Sequence, residues 1–109
     1  MSIEAIGYIR SDISRRNQRS DEEQLRNLAK RSGYDLRKTI VFGSRTDDPE
    51  HRLAVVLSHL PTVEVVLVPS MAHFHGGTVP TAVGAHAKVV AATTQSVLEV
   101  LFSTVVAGR

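Results

Sequence analysis

The sequence predicts an α/β domain of three layers, built on a mostly parallel sheet of about four strands. Two observations carry this. Short β-rich runs alternate with capped amphipathic segments, strand–helix–strand–helix–strand–helix–strand, and that alternation implies parallel strands joined by crossover helices. The clearest strand, Val63-Glu64-Val65-Val66-Leu67-Val68, is nearly all apolar, as a strand covered on both faces requires. Length and composition agree: 109 residues, 42% hydrophobic and 22% charged, suit one packed domain over residues 1–109 and exclude a disordered chain.

The elements follow in order. Residues 3–9, Ile-Glu-Ala-Ile-Gly-Tyr-Ile, read as a first, mostly buried strand. Residues 10–19 are polar and basic and read as a loop. Ser20 with Glu23 forms a capping box for a first helix, whose apolar face is Leu25, Leu28 and Ala29 and whose end is Gly33. Residues 36–42 read as a second strand and residues 43–48 as a loop. Asp48-Pro49 starts a second helix, an acid at the N-cap and proline at N1, with Leu53, Val56, Leu57 and Leu60 on its apolar side. Strand 63–68 comes next, then a loop from Pro69 to Thr78 with a Gly76-Gly77 hinge. Pro80 opens a short helix weakened by Gly84, and Lys88 to Thr93 reads as a fourth strand. Ser96 with Glu99 is a second capping box. It would open a helix over residues 97–107, apolar almost all round, with strand left open by so short an apolar run.

Charge is uneven. Of 13 basic and 11 acidic side chains, only Glu64, Lys88, Glu99 and Arg109 lie beyond residue 53. So apolar a second half points to burial against another copy of the chain, with Val97, Leu98, Leu101, Phe102 and Val105 as the expected interface and residues 95–109 as the association segment. A protein partner is a further expectation. With Cys at 0, disulfides, thiol nucleophiles and cysteine metal sites are excluded. The N-terminal residues lack the layout of a signal peptide, and no apolar run approaches the roughly 18 residues of a membrane span. A cytoplasmic protein without membrane contact is expected.

In an open parallel sheet, ligands sit at the carboxyl ends of the strands. The loops at 10–19, 43–48 and 69–78 lie there. Arg10, with Ser11 and Ser14 nearby, has the chemistry to hold a phosphate and supply a nucleophile, against the plainer alternative of a solvated turn with an Arg–Asp pair. His73-x-His75 has the chemistry to hold an acidic group; without a nearby carboxylate or a HExxH spacing it does not make a metal site, and no cofactor fingerprint is present. Between residues 10 and 38, bases outnumber acids, and Arg10, Arg15, Arg16 and Arg19 are the candidates for phosphate contact with DNA. The alternative is an ordinary charged helix face with pairs such as Glu22–Arg26.

Tyr8-x-Arg10, the polar loop, Gln24-x-x-x-Leu28 and Gly33 resemble the start of the serine recombinase (resolvase/invertase) catalytic domain. The resemblance runs over residues 3–94, through Asp48-Pro49 and the Val65-Val66-Leu67-Val68 strand. It implies a resolvase-like fold, and a serine attacking a DNA phosphodiester among arginines. Arg10 matches the first of those arginines and Gln24 a glutamine of the first helix. The nucleophile position, two after the arginine, holds Asp12; Ser11 comes one residue early and Ser14 two late. Glu50 stands where an arginine is expected, beside His51 and Arg52. Met71-Ala72-His73-Phe74-His75-Gly76 replaces a segment that carries an aspartate and two arginines. A phosphodiester in transfer develops negative charge that cations must stabilise, so this set predicts a degenerate site. The resemblance also implies a helix-turn-helix region after the domain and a long dimer-forming helix; the apolar 97–107 segment stands at the latter's place. The expected function is a catalytically silent resolvase-like domain acting by self-association and protein binding. The alternative is a divergent recombinase, or a DNA-accessory protein contacting phosphates through residues 10–38. The candidate catalytic residues are Arg10, Ser11, Ser14, Gln24 and His73.

Overall fold

The computed structural model of the protein describes residues 2–92. Four parallel strands form one sheet in the order β2-β1-β3-β4, with β1 Ile3–Arg10, β2 Tyr34–Phe42, β3 Val63–Val68 and β4 Lys88–Ala91. Four helices accompany them: α1 Ser11–Ser14, α2 Gln18–Ser32, α3 Pro49–Ser58 and α4 Thr81–Gly84.

Alternation along the strands divides the core into two layers. Ala5 and Ile9 of β1, with Val65 and Leu67 of β3, face Leu25, Leu28 and Ala29 of α2. Ile6 and Tyr8, with Val66 and Val68, face Leu53, Ala54 and Leu57 of α3, Phe74, and Val83 of α4. This is the expected three-layer α/β arrangement. Each fully buried Leu or Ile contributes roughly 1.5–3 kcal/mol of transfer free energy. Gly7 is required by close approach: a Cβ there would lie 2.7 Å from Thr39 Oγ1 and 2.9 Å from Leu25 Cδ1. Edge strand β2 carries exposed Arg37 and Lys38, charges that discourage pairing with another chain. Arg37 is the unmatched residue of a bulge, since Ala5 pairs with Leu36 and Ile6 with Lys38.

Several local expectations are corrected. The segment after β1 is not a loop: Ser11–Ser14 is helical and Arg15–Asn17 is a 3-10 turn. Buried Ser14 pins it inward by donating to the Asp21 carboxylate. The 3-10 turn runs directly into α2, so Ser20 lies inside the helix and the Ser20–Glu23 capping box does not form its N-terminus. β2 starts at Tyr34, and β4 ends at Ala91. The 69–78 segment holds two 3-10 turns, Met71–His73 and His75–Gly77, with positive φ at both hinge glycines. Gly33 closes α2 with φ 75°, as its C-terminal role requires. The expected helix over 97–107 and its interface residues lie outside the described residues. Among the described residues, no helix is long and apolar enough to cross a membrane.

Candidate functional site

Parallel strands bring their carboxyl ends to one edge, and there the candidate residues gather. Arg10 ends β1 beside Phe42, which ends β2. Its backbone N–H donates to His73 Nδ1 at 3.0 Å, across 63 positions of sequence. Nδ1 is therefore the acceptor, and the proton of the neutral imidazole belongs on Nε2. His73 is only 2% exposed, and burial holds its pKa below the ordinary histidine value; the Arg10 charge adds to this, while Asp21 and Asp12 oppose it.

The Arg10 guanidinium turns onto Asp12, Nη2 to Oδ2 at 2.6 Å and Nε to Oδ1 at 3.2 Å, a two-pronged pair that matches the planar groups. The Arg10 hydrogen bond pulls the Asp12 carboxyl below its usual range, and the same bond raises the arginine further above its own. Both members are about one-quarter exposed, at 24% and 28%.

The serines go elsewhere. Ser11 Oγ donates to the Phe42 carbonyl at 3.4 Å, a long contact. Ser14 Oγ donates to Asp21 Oδ2 at 2.5 Å. Gln24, on α2, has a buried Oε1 without a hydrogen-bond partner among the described residues. The structure therefore brings Arg10, Asp12 and His73 together, with Ser14 and Asp21 behind them, while neither serine hydroxyl bonds to the Arg10 guanidinium.

Three residues make contacts that sequence reasoning did not foresee. Asp21 meets Ser14 across the intervening 3-10 turn Arg15–Asn17. Glu50, at the start of α3, accepts the His75 backbone N–H and ties the segment after β3 to that helix. Tyr8 is stacked on Phe74, with centroids 5.1 Å apart, and edge-on to Phe42 at 5.8 Å. Its buried hydroxyl has no partner among the described residues, and burial, followed by the Glu50 charge, pushes its pKa well above the ordinary tyrosine value. Tyr8 was legible as part of Tyr-x-Arg, but its enclosure was not. His73 and His75 do not converge: the first is buried and the second exposed. No group of three or more metal-ligating side chains occurs among the described residues.

Arg15, Arg16 and Arg19 are exposed, and no carboxylate of the described residues pairs with them. Arg15 holds φ 53° and ψ −125°, a conformation that L side chains adopt rarely.

Among solved structures, the protein is similar to the crystal structure of the C-terminal catalytic domain of ISC1926 TnpA, an IS607-like serine recombinase. The TM-score is 0.64 at 19% identity, over 93% of this chain and 80% of that one. The chain has the fold of a serine recombinase catalytic domain. No protein-family profile and no curated protein matches the sequence. The resolvase-like likeness is thus one of backbone architecture, and the chemistry rests on the side chains this chain places at the sheet edge.

Proposed function

We propose that the protein is a catalytically silent resolvase-like domain that acts by self-association and by binding another protein. The observation that carries this reading is the Arg10–Asp12 pair. At the position where the resemblance implies an attacking serine, a carboxylate stands instead and occupies the guanidinium with two hydrogen bonds. A phosphate entering there meets negative charge from Asp12 and a cation already partnered. Ser11 and Ser14 have other acceptors. Losing a single preorganised donor to transition-state charge costs about 10²–10³ in rate in a well-studied protease, and here the surrounding arginines are replaced as well. Residues 1–109 are proposed to act as one domain, with 95–109 as the association segment.

The test has two parts. Incubation with supercoiled plasmid and with duplex DNA is expected to yield no cleavage and no covalent protein–DNA species on denaturing gels. A covalent species abolished by Ser14→Ala or Ser11→Ala would overturn the silence. Light scattering of the full chain is expected to give a dimer or larger, reduced to monomer by Leu101→Glu with Phe102→Glu; a monomeric wild type ends the association reading.

A second reading is favoured by one observation: Arg15, Arg16 and Arg19 are exposed and form no ion pair among the described residues. As a DNA-accessory protein, the chain would contact phosphates there without strand transfer. Binding to duplex DNA would then fall steeply with salt, and Arg15→Ala with Arg16→Ala would flatten that slope. Binding that ignores salt removes this reading.

A further inference from the structure

A second concave surface lies between α2 and β2, and none of its lining residues belongs to the Arg10–Asp12–His73 set. It is an open, shallow groove of about 460 Å³, lined by Arg26, Ala29, Lys30, Tyr34, Leu36, Lys38 and Thr39.

Its charge is one-sided. Arg26 and Lys30 stand four residues apart on α2, so they share one helix face. Lys38 comes from the bulged stretch of β2. Asp35 is the single acid between Glu23 and Asp47, and Arg37 already holds it at 3.1 Å. No carboxylate of the described residues pairs with Arg26, Lys30 or Lys38. Three cations and no carboxylate among the residues that line the groove suit an anion. The remaining lining, Ala29, Tyr34, Leu36 and Thr39, combines apolar side chains with two residues that carry hydroxyls. Thr39 can lie against β1 only because position 7 is glycine. A few polar groups converging above apolar surface is the usual make-up of a small-ligand site.

We propose that this α2–β2 groove binds a small phosphate ester of nucleotide size, its phosphate between Arg26, Lys30 and Lys38 and its organic part against Tyr34 and Leu36. The site is independent of the Arg10–Asp12 region, and its occupancy does not depend on whether the sheet edge is silent.

ADP is the probe, with adenosine and a short duplex oligonucleotide in parallel, against the full chain at low ionic strength. Calorimetry is expected to show saturable ADP binding, and amide chemical shifts are expected to move at Lys30, Tyr34 and Thr39. Adenosine, lacking the phosphate, is expected to bind at least about tenfold more weakly, the size of one charge-assisted hydrogen bond. Arg26→Gln with Lys30→Gln is expected to weaken ADP by at least the same factor; both side chains are exposed, so the fold is retained. Wild-type salt dependence and shift mapping give the same answer should the variant fail to fold. The proposal is overturned if ADP does not saturate, if adenosine binds equally, if the variant binds as wild type, or if shifts map away from the groove. Duplex binding in the absence of ADP binding also overturns it, in favour of a polymer backbone as the ligand of these cations.

Discussion

The Tyr8 hydroxyl is a donor enclosed among aromatic rings, with no acceptor among the described residues. A buried polar group without a partner costs about 1–3 kcal/mol. Tyr8→Phe removes the hydroxyl and keeps both ring contacts, so urea unfolding is expected to show a gain of about 1 kcal/mol. A loss of stability would mean that the hydroxyl has an acceptor beyond the described residues. Arg10 presents the opposite balance, since every strong donor it turns inward meets a partner: its amide bonds to His73 and its guanidinium to Asp12. The identity of Arg10 as a site residue was visible in the sequence. Its pairing with Asp12, one of the two alternatives the sequence offered, comes with the short helix Ser11–Ser14, which the polar composition of residues 10–19 disguised as a loop.

Helix α3 shows a cap read correctly from sequence with a backbone state that was not. Asp48 accepts the His51 N–H at 3.2 Å, as Asp48-Pro49 predicted, but it does so at φ 47°. Aspartate tolerates that left-handed state better than most residues, and glycine better still. Asp48→Ala therefore loses the cap and adds strain, with an expected cost of about 1–2 kcal/mol. Asp48→Gly loses only the cap and is expected to cost a few tenths. Thermal or urea unfolding of the pair checks this, and equal losses would remove the strain argument. Helix α2 teaches the reverse lesson. The Ser20–Glu23 signature is a sound local cap, yet a preceding 3-10 turn already continues the helical backbone, and Ser20 is absorbed into the first turn.

Across the whole molecule, His73 joins the segment after β3 to the end of β1, and the join needs a neutral imidazole. Burial lowers its pKa in the folded state, so the unfolded chain takes up the proton first as the solution is acidified. The stabilisation is complete above the ordinary histidine value of roughly 6.5 and falls as pH drops below it towards the lower folded value. The melting temperature of wild type is expected to decline over that window, and His73→Gln, which keeps an acceptor without the titration, is expected to flatten the decline. Identical profiles for the two proteins would show that His73 does not govern this pH range. The same long-range join explains why the site was only partly legible. Arg10, Ser11, Ser14, Gln24 and His73 could each be named from type and position, whereas the pairing of Ser14 with Asp21 and of Glu50 with the His75 amide depends on how separate segments meet.

By itself, the sequence determined the α/β class, the parallel sheet and most element positions, because hydrophobic periodicity, proline and glycine act locally and leave their marks in consecutive residues. It also determined that an aspartate stands two residues after Arg10, since that is a matter of residue identity. Only the tertiary structure decided the strand order, the bulge at Arg37, the enclosure of Tyr8 and the partner of the Arg10 guanidinium. The physical reason is range: a cap or an alternating strand is set by neighbours a few residues away. A buried hydroxyl and a shifted histidine arise where segments distant in sequence share one low-dielectric or crowded space.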